Sequence, residues 1–119
     1  MFQEVKDRLP VSGDGYDAQI ISEIRACVTD LTSSAEIRLP GTVKIARTQD
    51  EQTGAWTITD NSSLKDDFVI TVIAVWCNMR IGNPPNYQDL LKAYNAFKGQ
   101  MRLSKRYTDF EGGAEGCGC

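Results

Sequence analysis

The sequence predicts a mainly α fold: a small bundle of three main helices plus a short N-terminal one, with an inserted β-hairpin and a flexible C-terminal tail. Three segments carry apolar residues at alternating spacings of three and four, which is typical of amphipathic helices. Between two of them the apolar period changes to two around a turn-rich segment. At 119 residues the chain fits one domain. We predict a helical domain over residues 1–110 and a Gly/Cys-rich tail over residues 111–119.

Composition excludes several kinds of chemistry. The chain has no histidine, so the commonest general base, the usual activators of serine and cysteine nucleophiles, and most zinc sites are missing. The net charge of −3 implies no global attraction to nucleic acid. These absences close only the easiest routes to catalysis. We expect a protein that is not an enzyme, with no catalytic residue, no metal ligand and no cofactor.

The first two helices are predicted over residues 1–9 and 17–37. Pro10 ends the first. The second carries a broad apolar stripe, formed by Ile20, Ile21, Ile24, Cys27, Val28, Leu31 and Ala35. The run Thr32-Ser33-Ser34 has low helix propensity, so this helix is expected to fray or break before its end.

A β-hairpin is predicted over residues 42–59. Val43 and Ile45, and then Trp56 and Ile58, alternate with polar residues on either side of the turn-rich segment 49–54. An isolated hairpin is marginal in water, so it should pack on the helices or on a neighbouring chain.

Residues 64–81 are apolar on nearly every side and predict the central core helix. The preceding Asp60-Asn61-Ser62-Ser63 offers the cap, with Asp66 and Asp67 in the first turn. We interpret Cys27 and Cys77 as small buried hydrophobic residues. The start of the chain lacks signal-peptide features and the longest apolar run is too short to span a bilayer, so we expect a cytosolic protein with reduced thiols.

The last helix is predicted over residues 86–106, after a stop at Gly82 and Pro84-Pro85. Its apolar stripe consists of Tyr87, Leu90, Tyr94, Phe97 and Met101. Five lysines or arginines against one aspartate give this segment a net charge of +4, whereas seven acidic and three basic residues give residues 1–36 a net charge of −4. The two patches could pair between copies in head-to-tail contacts, or within one molecule.

Residues 82–110 also resemble a known protein family. The turn Gly-Asn-Pro-Pro-Asn-Tyr, a helix of the form L-x-x-x-Y-x-x-x-K-x-Q-(M/L) and the closing Arg-Tyr-Thr-Asp-Phe resemble the tailed-phage head–tail connector (adaptor) family. The resemblance implies a ring that matches the twelvefold symmetry of the portal, a dodecamer in the virion. Its partners would be further copies of itself, the portal protein and a stopper or tail-completion protein, with DNA passing nearby in the channel and no membrane involved. It implies a location at the head–tail interface of the virion, after assembly in the host cytoplasm.

Seven residues are the candidate partner or subunit interface: Trp56, Lys98, Arg102, Lys105, Arg106, Tyr107 and Phe110. Aromatic residues on projecting elements are common interface anchors, and a basic helix face can meet an acidic partner or DNA. The plain alternatives are aromatics that fold back onto their own core and a solvated helix face.

A rival function is a small helical nucleic-acid-binding regulator that uses residues 98–106. A third is a redox or metal protein that uses Cys117 and Cys119.

Overall fold

The computed structural model describes residues 1–11, 13–81 and 84–108. It confirms the predicted fold class, a mainly α chain with one antiparallel hairpin. The elements in order are α1 (Phe2–Asp7), α2 (Asp17–Thr29), a π-helical turn (Asp30–Ser34), β1 (Ile45–Gln49), β2 (Trp56–Asp60), α3 (Asp67–Arg80), α4 (Tyr87–Leu103) and a 3₁₀ turn (Lys105–Tyr107). The predicted stop at Gly82 and the predicted tail over residues 111–119 lie outside the described residues.

Helix α3 is the centre of the core, as its all-round apolar sequence predicted. It packs against α2 on one side and α4 on the other, and α1 also contacts it. The seven residues of α3 that are buried are Val69, Ile70, Val72, Ile73, Ala74, Cys77 and Met79. Phe68 meets Phe97 of α4 edge-on at 5.5 Å, and Trp76 lies 5.1 Å from the ring of Tyr94. These aromatic pairs fix how α4 lies along α3.

The second helix leaves regular α geometry earlier than residue 37. The hydroxyls of Thr29 and Thr32 donate to the carbonyls of Arg25 and Val28, at 3.0 and 2.8 Å, and such bonds compete with helix continuation. The chain then widens into the π-helical turn, which is closed by a bond from the Ala35 N–H to the Asp30 carbonyl at 3.0 Å. The helix therefore breaks at the Thr-Ser-Ser run, as its propensity indicates.

The hairpin is shorter than predicted at its first strand, which begins at Ile45 rather than Thr42. Gln49 pairs with Trp56 next to the turn, and Ile45 pairs with Asp60 at the open end. The hairpin rests on α2, where the Arg25 guanidinium donates to the Ile45 carbonyl. Ile45 is buried and Ile58 is half-buried, so one face of the hairpin covers the helices.

The start of α3 corrects the predicted cap. The helix begins at Asp67, and Asp66 is its N-cap, with Oδ1 accepting from the N–H groups of Phe68 at 2.9 Å and Val69 at 3.2 Å. The serine hydroxyls of the segment before it serve another purpose, because Ser63 Oγ accepts from the Thr42 N–H at 2.8 Å. The serines thus attach this segment to the residues that precede β1, and an aspartate close to the helix is left to cap it.

Cys27 and Cys77 are fully buried, as predicted. Burial raises the pKa of the Cys27 thiol to about 12 and also raises the pKa of Cys77. Both groups should be inert to thiol reagents in the native state, since the thiolate is the reactive form.

We predict this inertness in a variant that carries Cys117→Ser and Cys119→Ser. Its two remaining thiols should react with Ellman's reagent at least about 100-fold more slowly in buffer than in denaturant, because reaction requires local opening. The denatured sample is the control, and both of its thiols should react with the reagent at once. Rapid labelling of the native variant would contradict the burial of the pair.

Candidate functional site

Trp56 lies at the start of β2 with 51% of its surface exposed. Its cross-strand neighbour is Gln49, and the guanidinium carbon of Arg47 lies 3.8 Å from the ring centroid. A cation over an indole face at this distance is a favourable contact that also holds the ring in place. Trp56 therefore does not fold back onto the core, and it presents a preorganised aromatic surface.

Two grooves adjoin Trp56 where the hairpin meets α2. One, of about 280 Å³, is bordered by Ile21, Arg25 and Arg47. The other, of about 410 Å³, is bordered by Ala55, Ile58 and the carboxylates of Asp14 and Asp17, with Arg47 again at its edge. Shallow grooves beside a half-exposed aromatic residue are features of a contact surface.

The candidate basic residues are not equally available. Lys98 Nζ lies 3.1 Å from Asp30 Oδ2, which also accepts from the Tyr94 hydroxyl at 2.6 Å. Arg106 Nε donates to Asp66 Oδ2 at 2.7 Å. Arg102 is exposed and has no ion pair with another described residue. Because Lys98 and Arg106 are paired, the free charge of this face is smaller than the sequence implies.

Lys105 is likewise exposed and unpaired among the described residues. Together with Arg102 it flanks Leu103, whose surface is 90% exposed. Leu103 is the functional candidate that the sequence reasoning missed. The signal was available: Leu103 lies about 200° around the helix from Met101, so it falls opposite the apolar stripe.

Tyr107 packs inside the molecule and is 6% exposed. Its hydroxyl donates to Asp66 Oδ2 at 2.8 Å, and its carbonyl accepts from the Arg38 N–H at 2.7 Å. Tyr107 therefore folds back onto its own core, which was the alternative to an interface role. Phe110, the remaining candidate, lies outside the described residues.

Asp66 is a residue whose importance only the structure reveals. Burial raises the pKa of its carboxyl, but hydrogen bonds from Arg106, Tyr107 and the Val69 N–H outweigh that effect and place the pKa below the usual value for aspartate. One carboxylate thus caps α3 and attaches the segment that follows α4.

No cluster of three or more metal-ligating side chains occurs in the described part of the chain. Within residues 1–11, 13–81 and 84–108, no helix has the length and apolarity needed to cross a membrane. Cys117 and Cys119 lie outside the described residues.

No protein-family model, curated protein or solved structure matches this chain.

Proposed function

We propose that this chain is a structural head–tail connector of a tailed-phage virion. In this proposal copies of the chain form a ring below the portal, extend the DNA channel and dock the stopper or tail-completion protein. The function requires shape and contact surfaces, with no turnover of a substrate.

The observation that carries the proposal is that two large apolar side chains on different elements are more than half exposed, Trp56 at 51% and Leu103 at 90%. Exposed large apolar residues with charged neighbours are features of protein–protein contact surfaces. The resemblance of residues 82–110 to the connector family points to a ring as the assembly that uses them.

The rival function, a nucleic-acid-binding regulator, is less well supported. Two of the cations it needs, Lys98 and Arg106, are already paired with Asp30 and Asp66. Each phosphate contact adds to the salt dependence of binding, so a regulator would bind duplex DNA tightly with a steep salt slope. Filter binding over a salt series distinguishes the two functions, and we expect weak binding throughout.

Electron microscopy of mixtures tests the connector function. Purified chain is mixed with portal rings from candidate phages, and we expect an added ring of density on the tail-facing side of the matching portal. A portal from an unrelated phage is the control. If no portal among the candidates gains density, or if the chain turns over a metabolite, the proposal fails.

Two variants refine this experiment. Trp56→Ala removes an exposed anchor, and truncation after Thr108 removes the last eleven residues while retaining the buried Tyr107. We expect either change to weaken ring density at least about tenfold in titration, as loss of an anchor residue does. Normal ring formation by both variants would show that the contacts lie elsewhere.

A further inference from the structure

Leu103 projects from the last turn of α4 with nothing packed on it. A leucine that is 90% exposed in a helix whose apolar stripe is already buried at Tyr94 and Met101 makes no contribution to the core. Arg102 beside it and Lys105 in the following 3₁₀ turn are exposed cations, so the end of α4 is an apolar knob with a cationic border. We call residues 102, 103 and 105 the knob.

The groove of about 410 Å³ beside Trp56 offers an apolar wall and an exposed carboxylate, with Arg47 also at its edge. Its apolar surface comes from Trp56, Ala55 and Ile58, and its volume is ample for a leucine side chain. The Asp14 carboxylate at its edge is 97% exposed, and its nearest cation is Lys6 at 3.9 Å. Lys6 is bound more closely by Asp17, at 2.7 Å, so Asp14 remains available to an incoming cation.

The charges of the two sides of the molecule agree with this pairing. Residues 1–60, which include α1, α2 and the hairpin, hold ten acidic and six basic side chains, a net charge of −4. Residues 86–106 hold a net charge of +4, from five basic side chains and one acidic one. Opposite potentials of this kind orient two surfaces as they meet.

Within one molecule the knob and the groove are kept apart. Helix α3 lies between α2 and α4, the hairpin contacts α2, and α4 makes no extensive contact with either strand. A knob and a groove on different sides of one chain can meet only between copies, which gives a heterologous, head-to-tail contact.

We infer that the knob of one copy docks into the Trp56 groove of the next copy, with Leu103 packed on Trp56 and Arg102 or Lys105 facing Asp14. This inference rests on the proposed function, because it names the lateral contact of the proposed ring. Repetition of one heterologous contact closes a ring when its rotation allows.

Thiol cross-linking tests the contact with cysteines placed beside the two anchors. In the Cys117→Ser, Cys119→Ser background, Ala55→Cys is made in one protein and Gln100→Cys in another, and both positions are exposed. At high protein concentration a short thiol-to-thiol cross-linker should join the two proteins in a mixture and leave each protein monomeric by itself. One protein with both cysteines should give a ladder of oligomers.

Two controls make the result specific. Gln88→Cys, also exposed but at the other end of α4 and about 20 Å from Leu103 along the helix, replaces Gln100→Cys and should give no dimer with the Ala55→Cys protein. Adding Leu103→Ser to the Gln100→Cys protein should lower the cross-linked yield about tenfold or more, as loss of a buried anchor does.

The outcomes separate this inference from the function it rests on. Absence of the mixed dimer, or self-dimers of either single-cysteine protein, overturns the head-to-tail contact even where rings form on a portal. A mixed dimer that depends on Leu103, seen with a chain that binds no portal, would support the contact and contradict the connector function.

Discussion

Replacing Asp66 with alanine is expected to lower the free energy of unfolding by about 3 kcal/mol. The alanine removes the N-cap of the central helix, which is worth roughly 0.5–2 kcal/mol. It also leaves the Tyr107 hydroxyl without its acceptor at 2.8 Å. Arg106 is exposed, so losing its ion pair contributes little to the total. Urea denaturation followed by circular dichroism measures the change.

The adjacent carboxylate is a matched control. Asp67 is 82% exposed and pairs with the exposed Arg8, so Asp67→Ala should change stability by about 0–1 kcal/mol. Asp66→Asn should fall between the two, because asparagine also caps helices but accepts less strongly from a guanidinium. Equal effects of Asp66→Ala and Asp67→Ala would show that the cap and its contacts to Arg106 and Tyr107 do not stabilise the fold.

The pH dependence of stability gives a second measurement for Asp66. Its pKa in the folded protein lies below that of the unfolded chain, where aspartate titrates near about 3.9. The carboxylate therefore contributes its full stability above about pH 4, and that contribution is lost as the pH falls through the lower, folded pKa. The difference in unfolding free energy between wild type and Asp66→Ala should accordingly shrink on acidification below about pH 4.

Gly41→Ala is the other change with a large expected effect, a loss of about 3 kcal/mol or more. Gly41 has a φ of 154°, and a Cβ built on it would lie 2.6 Å from Leu64 Cα and 2.8 Å from Leu64 N. These are backbone atoms, and they are held by bonds from the Ser63 and Leu64 N–H groups to the Thr42 carbonyl at 3.0 and 3.1 Å. The two segments cannot separate without breaking these bonds. Thermal and urea unfolding measure the loss.

Two further glycines serve as controls for the same substitution. Gly54 has a φ of 74°, and a Cβ there would meet only the Gln49 side chain, at an ordinary contact distance of 3.9 Å, so alanine there should cost about 1 kcal/mol of backbone strain. Gly99 lies within α4, and a Cβ there would meet nothing within 4 Å. Gly99→Ala should therefore stabilise the protein by about 0.5–1 kcal/mol through helix propensity. If Gly41→Ala were tolerated as well as Gly99→Ala, the close approach of residues 41 and 64 would be wrong.

Features set by neighbours in the chain were predictable. The 3.6-residue period located α4 and its buried Tyr94 and Met101, and the all-round apolar character of residues 64–81 identified the central helix. Low propensity at Thr32-Ser33-Ser34 indicated the early end of α2. The cap of α3 was misassigned to the serines before it, because sequence proximity cannot show that Ser63 is occupied by Thr42, which lies 21 positions away.

The candidate site was predictable in part. Alternation with polar residues placed Trp56 on a hairpin, where the structure leaves it half-exposed. A count of charges on α4 overestimated its basic face, because the partners of Lys98 and Arg106 belong to other elements. The exposed Leu103 was not predicted, since a single apolar residue on the opposite face of a helix adds nothing to its apolar stripe.

The amino-acid sequence by itself determined the elements of this protein: four helices, a hairpin and a core around the third helix, all consequences of local period and propensity. Only the tertiary structure decided which side chains remain on the surface for a partner. It paired Arg106 with Asp66 across 40 positions and Lys98 with Asp30 across 68, and it left Leu103 and Trp56 exposed. The physical reason is that such pairs form when helices pack, and packing brings together residues whose separation in the chain carries no periodic signal.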